Sequence, residues 1–470
     1  MADLPVPGPQ LTGAGAEDHA GPADPVSAAI PSAVHAILQT LWSGGHAGYV
    51  VGGSLRDTLL GRPAHDWDLA TDARPDRVLQ LFPGAVYENT FGTVAVRRDG
   101  ELYEVTTFRS DHEYSDFRRP HRVAFGDSIE RDLARRDFTV NALAWGAPPG
   151  AEPGLVDPFD GRADLVARIL RAVGEPAVRF EEDALRMIRA VRLAATLGFD
   201  LEPTTRAGIE ARAELVRYLS GERIATELGK LLAAPRPSVG LQPMADTGVL
   251  AEISPDLARQ RGVPQNKVPG EDLWDHTMRS VDAARHDRPV VRLATLLHDI
   301  GKPATFADGH FLGHEAVGAE LTAALLDRLR TPRDVRHRVV HLVRQHMFSY
   351  EPAWSDTAVR RFIAKIGVEA IDELFDLREA DNIGSGLPAG AGGLDELRGR
   401  VAAELAGDTV LDRGDLRIDG HDLMAELGLP QGPQLGRILE ALLERVIVDP
   451  ALNDRPTLLL LARSLLEDDA

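Results

Sequence analysis

Residues 50–71 read VVGGSLRDTLLGRPAHDWDLAT, two strand-like runs joined by a glycine pair and a helical stretch. The apolar run before the pair predicts a buried strand, and Gly52 and Gly53 predict a tight turn because they lack Cβ atoms. Asp66 and Asp68 stand two positions apart in the second run, so in a strand both side chains leave the same face. This stretch therefore predicts a strand, turn, helix and strand that present two carboxylates together.

Two neighbouring carboxylates repel each other unless a cation lies between them, and Mg²⁺ prefers oxygen ligands. We therefore predict that Asp66 and Asp68 bind Mg²⁺ and are catalytic residues of a phosphoryl transfer that uses two metal ions. Glu104, in the strand-like run LYEVTTF (102–108), is the candidate third catalytic ligand. The alternatives are a solvated surface pair for the aspartates and a solvent-facing strand residue for Glu104.

The glycine pair also predicts a binding site for an anion. Backbone N–H groups at Gly52 and Gly53 are able to approach a triphosphate closely, and Ser54 adds a hydroxyl group. Arg56 stands two residues further on, where its guanidinium would support the same anion. These four residues are the candidate triphosphate-binding residues.

Strand and helix signals are distributed unevenly along the chain. Strand-like runs, among them YVVGG, HDWDLAT, TVAVRR and LYEVTTF, fall in the amino-terminal third, after which apolar residues recur at helical spacing nearly to the end. The sequence therefore predicts an α+β fold, with a small head that contains a mixed or antiparallel sheet and a long all-α body.

Composition narrows the classes of partner and site. The net charge of −20 opposes general binding of polyanions, so any contact with nucleic acid must be local. Cysteine is absent, which leaves oxygen and imidazole as metal ligands and fits a cytoplasmic protein. The first residues lack a signal-peptide pattern, and no apolar run is long enough to cross a bilayer, so we expect no membrane association. The sequence indicates no oligomeric state.

Further motifs follow GGSLRD and DWD in order: RRDFTVNALAW (135–145), DPFDGRADL (157–165), EDALRMIRAVRLAATLGF (182–199) and ERIATELGKLL (222–232). Together they resemble the polymerase-beta-type nucleotidyltransferases, and in particular the bacterial class II CCA-adding enzymes and their poly(A) polymerase relatives. The resemblance implies stepwise transfer of CMP, CMP and AMP from CTP and ATP to the 3′ end of tRNA. It also implies that DHEYSDFRRPHRV (111–123), within the family motif FRSDHEYSDFRRPHRVAF (108–125), is a mobile loop linked to the final adenosine step, and the alternative is an ordinary surface loop.

The resemblance assigns nucleotide-binding roles within these motifs. Arg136, Asp137 and Asn141 would contact the ribose and phosphates, and the alternative is a structural cluster of ion pairs that closes the head. Asp183 and Arg186 would recognise the base. The residues implied to make further nucleotide or phosphate contacts on the same helix are Arg189 and Arg192.

The chemistry of base recognition fits this assignment. Cytosine and adenine both present an amine donor beside a ring-nitrogen acceptor, which a carboxylate and a guanidinium complement. Uracil and guanine reverse that pattern and would leave both groups badly paired. We expect Asp183 and Arg186, three residues apart, to share one helix face. The alternative is a solvated helix face with ion pairs to Glu181 and Glu182.

A second set of motifs lies in the helical body. The stretches DLWDHTMRS, LLHDIGKPATF, FLGHEAVGAE, LVRQHM and LREADNIGSG resemble the HD superfamily of metal-dependent phosphohydrolases. The resemblance implies a metal site and hydrolysis of phosphomonoesters or 2′,3′-cyclic phosphates. Imidazole with carboxylate suits Mn²⁺, Ni²⁺, Co²⁺ or Fe²⁺. The implied ligands are His276, His298, Asp299 and Asp381, with His314 and His346 completing a second metal position. The alternatives are packed core or surface histidines, and a site that is kept only as scaffold.

We predict a disordered tail at 1–30, a nucleotidyltransferase head at 31–170 and a helical neck at 171–262 that binds nucleotide and RNA. An HD-type helical domain at 263–395 and a helical tail at 396–470 complete the chain. The resemblance implies that this tail contacts tRNA, and the alternative is a helical packing module with no RNA contact. The alternatives to CCA addition are a poly(A) polymerase, an enzyme that adds only CC or only A, and an HD phosphohydrolase whose head binds RNA.

Overall fold

The computed structural model describes residues 25–87, 92–110, 124–265, 267–407 and 410–468. Its contacts divide the chain into two compact units, with the division between Gly174 and Glu175. The first unit corresponds to the predicted head. The predicted boundaries at 262/263 and 395/396 lie inside the second unit and stay predictions. Within the described ranges, every helix is too short or too polar to span a bilayer.

The predicted tail over 1–30 is wrong at its carboxyl end. Residues 1–24 lie outside the described residues, but Pro25–Ala29 form a helix that contacts the helix Gly53–Leu59. Val26 and Ile30, four positions apart, are both buried. Apolar residues at this spacing lie on one helix face, and their burial is what orders this segment.

The first unit combines short helices with strands. Its helices are α1 (Pro25–Ala29), α2 (Ser32–Ser43), α3 (Gly53–Leu59), α4 (Pro75–Leu81), α5 (Ile129–Ala134) and α6 (Gly161–Ala167). Its strands are β1 (Gly48–Val51), β2 (Asp68–Thr71), β3 (Val86–Tyr87), β4 (Thr93–Arg98), β5 (Glu101–Thr107), β6 (Arg109–Ser110), β7 (Ala124–Phe125), β8 (Ala144–Ala147), β9 (Gly154–Val156) and β10 (Ile169–Leu170).

A seven-stranded sheet forms the centre of this unit, with the order β3-β4-β5-β2-β1-β8-β9. Neighbouring strands are antiparallel except β2 and β5, which are parallel. Tyr49, Val51 and Ala70 bury one face of the sheet against Ile129 and Leu133 of α5. The helices α2 and α4 contact β1, β4 and β5. The prediction of a head with a mixed or antiparallel sheet is confirmed, and the sheet is mixed.

The second unit is helical apart from β11 (Asp200–Leu201), as predicted for the body. Its amino-terminal helices are α7 (Pro176–Glu182), α8 (Leu185–Leu197), α9 (Pro203–Glu210), α10 (Gly221–Leu232), α11 (Ser238–Asp246), α12 (Val249–Ile253) and α13 (Pro255–Ala258). The central helices are α14 (Leu273–Ala283), α15 (Pro289–Leu297), α16 (Lys302–Thr305), α17 (His314–Arg328), α18 (Arg333–Gln345), α19 (Asp356–Ile366) and α20 (Val368–Gly384). The carboxyl-terminal helices are α21 (Leu394–Leu405), α22 (Gly420–Leu427), α23 (Pro433–Val448) and α24 (Arg455–Asp468).

Three packing centres organise this unit. Helix α8 packs against α10 and α11, and α14, α15, α18 and α20 pack against one another, with α17 on α18. The last helices form an apolar core of their own around Leu423, Leu442 and Leu458. Asp419 caps α22 through hydrogen bonds to the backbone N–H groups of His421 and Asp422, so the stretch LRIDGHDL leads directly into a helix.

Candidate functional sites

The aspartate pair lies where β2 begins. The strand starts at Asp68, so Asp66 precedes it rather than belonging to it. Trp67 between them is 7% exposed, whereas both aspartates are exposed. Desolvation raises the pKa of Asp68; Arg136 opposes this rise and Asp66 adds to it. The alternation of burial and the repulsion between the two carboxylates are what two aspartates on one side of an extended segment produce.

The glycine pair faces this carboxylate. Gly52 has a φ of 82°, a left-handed conformation that glycine adopts without strain. A Cβ atom at Gly52 would lie 3.0 Å from Arg136 Nη1 and 3.7 Å from Asp68 Oδ2. Ser54 is buried, and its Oγ has no hydrogen-bond partner among the residues that the structure describes. The structure therefore brings the turn, one catalytic candidate and a cation together.

Glu104 lies on the neighbouring strand at the matching level. β2 and β5 run parallel with Leu69 opposite Val105, which places Asp68 and Glu104 one residue earlier on their strands. Side chains at the same level of adjacent strands share a face. Glu104 is exposed, as both the ligand prediction and its alternative require.

The motif RRDFTVNA forms a hydrogen-bonded network with the turn. Arg56 Nη1 donates to Asn141 Oδ1 at 2.6 Å, and Asn141 Nδ2 donates to Asp137 Oδ1 at 3.0 Å. Asp137 and Asn141 are both buried. The predicted residues thus lie together. Their hydrogen bonds with one another are also what the alternative, a structural cluster, predicts.

Sequence reasoning missed Asp132, the carboxylate that holds the arginines of this motif. Asp132 is 2% exposed and lies 2.8 Å from Arg135 Nη2 and 3.4 Å from Arg136 Nη2. Burial raises the pKa of Asp132, but Arg135 and Arg136 outweigh it and lower the pKa. It also accepts a hydrogen bond from the backbone N–H of Arg109 at 3.1 Å. Its position three and four residues before two arginines is the signal that predicts such pairs on a helix.

Arg109 was missed as well. Its guanidinium donates to Thr93 Oγ1 at 3.2 Å, and desolvation together with Arg135 lowers its pKa to about 10, against the opposing effects of Asp132 and Glu104. A concentration of guanidinium groups beside the sheet suits an anionic ligand. The predicted mobile loop, 111–123, lies outside the described residues.

The prediction that Asp183 and Arg186 share one helix is wrong. Helix α7 ends at Glu182 and α8 begins at Leu185, and Asp183 between them has an extended backbone (φ −149°, ψ 104°). Its Oδ1 accepts a hydrogen bond from the backbone N–H of Leu185 at 3.0 Å, as a residue before a helix does. Its Oδ2 accepts from Arg223 Nη2 at 2.7 Å. These two bonds explain the break in the helix.

The basic residues that follow form ion pairs inside the second unit. Arg186 Nη1 donates to Glu182 Oε2 at 2.8 Å, which the alternative reading of this helix includes. Arg192 Nε lies 2.5 Å from Glu227 Oε2, and Arg189 Nη1 lies 3.9 Å from Glu227 Oε1. Glu227 belongs to α10 and is buried, so this pair of arginines helps to hold α8 against α10.

The six predicted metal ligands come together in the second unit, where all are buried. They come from α14, α17, α20 and the residues that follow α15 and α18, and they form two groups that share Asp299. Asp299 Oδ2 lies 3.4 Å from His276 Nε2 and 3.2 Å from His298 Nε2. Asp299 Oδ1 lies 3.3 Å from His314 Nε2 and 3.6 Å from His346 Nε2. One carboxylate thus connects two candidate metal positions.

Asp381 completes the first position. Its Oδ1 lies 3.3 Å from His276 Nε2 and 3.7 Å from His298 Nε2. Backbone carbonyls orient the rings of three histidines through Nδ1: Thr295 O for His298 at 2.7 Å, Phe311 O for His314 at 2.7 Å and Val343 O for His346 at 2.6 Å. Metal-binding histidines are oriented by this kind of bond, which leaves Nε2 for the metal.

Electrostatics in this cluster follow from burial and close charges. Burial lowers the pKa of His298, but Asp299 and Asp381 outweigh it and raise the pKa to about 9. Burial also lowers the pKa of His346. Burial raises the pKa values of Asp299 and Asp381, but both lie well below the ordinary value. The charge of His298 is the first opposing cause at Asp299, and the hydrogen bond with the His276 side chain is the first at Asp381. Both carboxylates are therefore ionised, as metal ligands must be.

Three further cations at this cluster were missed. Lys302 Nζ lies 2.6 Å from Asp299 Oδ2, Lys267 Nζ lies 3.3 Å from Asp381 Oδ1, and Arg378 Nη1 lies 3.4 Å from Asp381 Oδ2. Lys302 follows Asp299 by three residues and Arg378 precedes Asp381 by three, which is a helical spacing. Lys267 has no such signal, since it is distant from Asp381 in sequence.

Comparison with known proteins assigns the chain to a family. A curated CCA-adding enzyme of Levilactobacillus brevis is 36% identical over 424 residues, which cover 90% of this chain and 95% of that protein. This chain belongs to the CCA-adding enzyme family. Another family member, from Geobacillus stearothermophilus, is 35% identical over 426 residues, with coverage of 89% and 93%. The structure of the Bacillus stearothermophilus CCA-adding enzyme in complex with CTP matches the present chain with a TM-score of 0.68 and 31% identity, and the match covers 93% of this chain and 98% of that one.

Three family models match successive parts of the present chain. The poly A polymerase head domain matches 48–171, the probable RNA and SrmB-binding site of polymerase A matches 198–261, and the HD domain matches 251–384. The predicted family, the fold class and the assignment as a nucleotidyltransferase are confirmed.

Proposed function

We propose that the chain adds CCA to the 3′ end of tRNA, transferring CMP, CMP and AMP in turn from CTP and ATP. The observation that carries this proposal is that Asp68, Gly52 and Arg136 lie close together. The chain also aligns with curated CCA-adding enzymes over nearly their whole length. Transfer of a nucleotidyl group from a nucleoside triphosphate requires carboxylates that bind metal ions and groups that bind the phosphates. The carboxylate, the glycine turn and the guanidinium supply these functions.

Asp66, Asp68 and Glu104 would hold Mg²⁺ in the head. Their donor atoms are carboxylate oxygens, which Mg²⁺ prefers, and a cation would relieve the repulsion between Asp66 and Asp68. The chemistry that such ions supply is activation of the tRNA 3′ hydroxyl and neutralisation of charge on the triphosphate. The residues of the chain themselves would hold the hydroxyl group and the triphosphate in line for the transfer.

The triphosphate would lie along the glycine turn. The Gly52 and Gly53 backbone approaches it without a Cβ atom in the way, and Ser54 offers a hydroxyl group. Arg56 and Arg136 supply the positive charge, and each is already held by a carboxylate, Asp57 and Asp132. Guanidinium groups fixed in this manner lose little freedom when phosphate binds.

Asp137 and Asn141 would contact the ribose. Both belong to the network that Arg56 joins, so a ribose hydroxyl would exchange hydrogen bonds with groups that are already oriented. Pre-oriented donors and acceptors favour bound nucleotide because little reorganisation is needed.

Asp183 and Arg186 would recognise the base edge. Asp183 is held by Arg223 and by the amino end of α8, and a carboxylate with about four acceptor positions is able to accept a further bond from a base amine. Arg186 is held by Glu182 and would donate to the ring nitrogen. Arg189 and Arg192 would act at the same helix as supporting phosphate contacts, and the segment 396–470 would contact the tRNA body.

The test is incorporation of labelled nucleotides into tRNA that ends at the discriminator base. With wild type we expect three added residues ending in A when CTP and ATP are both present, and CC when only CTP is present. Asp68→Ala should abolish addition. Long A tracts would instead support a poly(A) polymerase, and product that stops at CC or starts only from CC would support a specialised enzyme.

A second proposed function is phosphohydrolysis at the histidine cluster, which two ligand groups sharing Asp299 favour. The donor set of imidazole and carboxylate fits Mn²⁺, Ni²⁺, Co²⁺ or Fe²⁺. Substrates would be phosphomonoesters or 2′,3′-cyclic phosphates at RNA ends. We expect His298→Ala to abolish hydrolysis and preserve CCA addition, and Asp66→Ala to do the reverse. A chain whose principal activity survives Asp66→Ala would be a phosphohydrolase with an RNA-binding head.

A further inference from the structure

Lysine is rare in this chain, yet half of its lysines lie at the histidine cluster. The total of Lys and Arg is 52, and the lysines are Lys230, Lys267, Lys302 and Lys365. Lys267 and Lys302 both contact carboxylates of the cluster. An ammonium group is a compact, strongly hydrated charge on a flexible stem, unlike the planar guanidinium.

Lys267 contacts the same oxygen that faces the imidazoles of the first metal position. Its Nζ lies 3.3 Å from Asp381 Oδ1, and that oxygen lies 3.3 Å from His276 Nε2 and 3.7 Å from His298 Nε2. A divalent cation bound by these three ligands would therefore share Asp381 Oδ1 with the ammonium group. Two cations on one oxygen repel each other, and the repulsion is strong where water is excluded.

The two lysines differ in their freedom to move. Lys302 belongs to α16, its side chain is 8% exposed, and it lies 2.6 Å from Asp299 Oδ2. The Lys267 side chain is 35% exposed and belongs to the connection between α13 and α14. Lys267 is thus able to leave Asp381 by rotation of its side chain, whereas Lys302 is held by its helix.

We propose that Lys267 is an exchangeable counter-ion of Asp381: it competes with a divalent cation for the His276, His298 and Asp381 position, and it binds the phosphoryl group of the substrate when that cation holds Asp381. The inference rests on the metal binding proposed for this cluster, and it adds a residue that selects for a phosphate-bearing ligand.

Charge balance supports both parts of this role. The carboxylates Asp299 and Asp381 face three permanent cations, Lys267, Lys302 and Arg378. These groups already carry an excess of one positive charge, and a divalent cation raises the excess to three, which an anionic phosphoryl group offsets. The Asp299 oxygen of the second position faces His314 and His346, whereas both lysines contact oxygens of the first position. Competition should therefore concern the first position alone.

The test is titration calorimetry of the full chain with Mn²⁺, followed by inorganic phosphate on the Mn²⁺-loaded protein. The component of the Mn²⁺ isotherm that Asp381→Asn loses identifies the first position. For Lys267→Met we expect Mn²⁺ binding at that position to tighten about three- to tenfold and phosphate binding to weaken by a similar factor. Lys267→Arg keeps the charge and should stay within about twofold of wild type in both titrations. Lys365→Met, an exposed lysine of α19, is the matched control and should change neither.

Opposite changes in the two titrations support the inference. Unchanged Mn²⁺ affinity in Lys267→Met would overturn it, and so would weaker binding of both ligands, because a lysine that only maintains local structure would weaken both. A wild-type chain that binds no Mn²⁺ would overturn the metal site proposed above, and the inference with it, whereas normal Mn²⁺ binding with no effect of Lys267→Met overturns the inference alone.

Discussion

The carboxylate of Asp183 accepts a hydrogen bond from the guanidinium of Arg223 at 2.7 Å, which ties the break between α7 and α8 to α10. The other oxygen of Asp183 accepts from the backbone N–H of Leu185. The direction of this carboxylate is thus decided by the first residue of α8 and by a distant guanidinium on α10. If Asp183 recognises a base amine, Arg223 decides where the amine must lie.

Arg223→Gln should therefore weaken the selection of nucleotides more than it weakens their use. We expect the preference for CTP over UTP, measured as the ratio of kcat/KM values, to fall about tenfold, because Asp183 loses the partner that orients it. Arg217→Gln is the matched control, since Arg217 is half-exposed and pairs with Glu252. An equal loss for all four nucleotides would contradict an orienting role.

Gly52→Ala should abolish most CCA addition. The new methyl group would lie 3.0 Å from Arg136 Nη1 and 3.7 Å from Asp68 Oδ2, in a left-handed backbone conformation. Gly100→Ala is the matched control, because Gly100 has a φ of 88° and open space around its Cβ position. Both variants should lose about 1 kcal/mol of unfolding free energy, and only Gly52→Ala should lose activity. Equal CCA addition by the two variants would show that the glycine turn is not part of the active site.

Asp132→Asn should destabilise the protein by about 3 kcal/mol, because it leaves Arg135 and Arg136 without their buried counter-ion. Urea unfolding measures the change. Asp127→Asn is the control, since Asp127 is 89% exposed and its pair with Arg131 spans 3.9 Å, so we expect a change below about 0.5 kcal/mol. Similar losses of unfolding free energy in the two variants would show that Asp132 does not stabilise the fold as the counter-ion of the two arginines.

The effect of Asp132 should also depend on pH. Arg135 and Arg136 outweigh burial and lower the pKa of Asp132 in the folded chain. A carboxyl with a depressed folded pKa stabilises fully above its unfolded pKa of about 4, and this contribution disappears as the pH falls through the folded value. The difference in unfolding free energy between wild type and Asp132→Asn should be constant from about pH 5 to 7 and shrink below about pH 4. A difference that grows on acidification would contradict this sign.

Asp299→Asn and Asp381→Asn should differ in the amount of metal that they retain. Asp299 faces histidines of both positions, whereas the histidines that Asp381 faces, His276 and His298, belong to the first position. We expect Asp299→Asn to lose metal from both positions and Asp381→Asn from one, measured by elemental analysis after dialysis against Mn²⁺. CCA addition should survive in both variants. Equal metal contents would show that Asp299 does not connect two positions.

Local pattern was sufficient for the elements and for many site residues. The strand, turn, helix and strand of 50–71 follow from apolar alternation and the glycine pair, and they appear as β1, α3 and β2. The elements depend on neighbours in sequence, so local pattern predicts them. The six residues of the histidine cluster were instead implied by the resemblance to the HD superfamily, and the fold brings them together.

Residues whose state depends on a distant partner were predicted less well. Asp183 was expected in a helix, because its own segment has helical periodicity, but Arg223 and the amino end of α8 fix it in an extended conformation. Val26 and Ile30 belong to the stretch predicted as a disordered tail, but their burial orders it as a helix against α3. Lys267 carries no local signal for its contact with Asp381.

By itself, the sequence determined the order of most elements and the chemical types gathered in each motif, because these follow from side-chain periodicity and backbone preference within short stretches. The family came from the resemblance of its ordered motifs to known enzymes. Only the tertiary structure decided which charges face each other: Asp132 with Arg136, Arg192 with Glu227, and Lys267 with Asp381. The physical reason is that an ion pair or a shared ligand oxygen depends on distances of a few ångströms between atoms, and for residues far apart in the chain only the packing of the fold sets those distances.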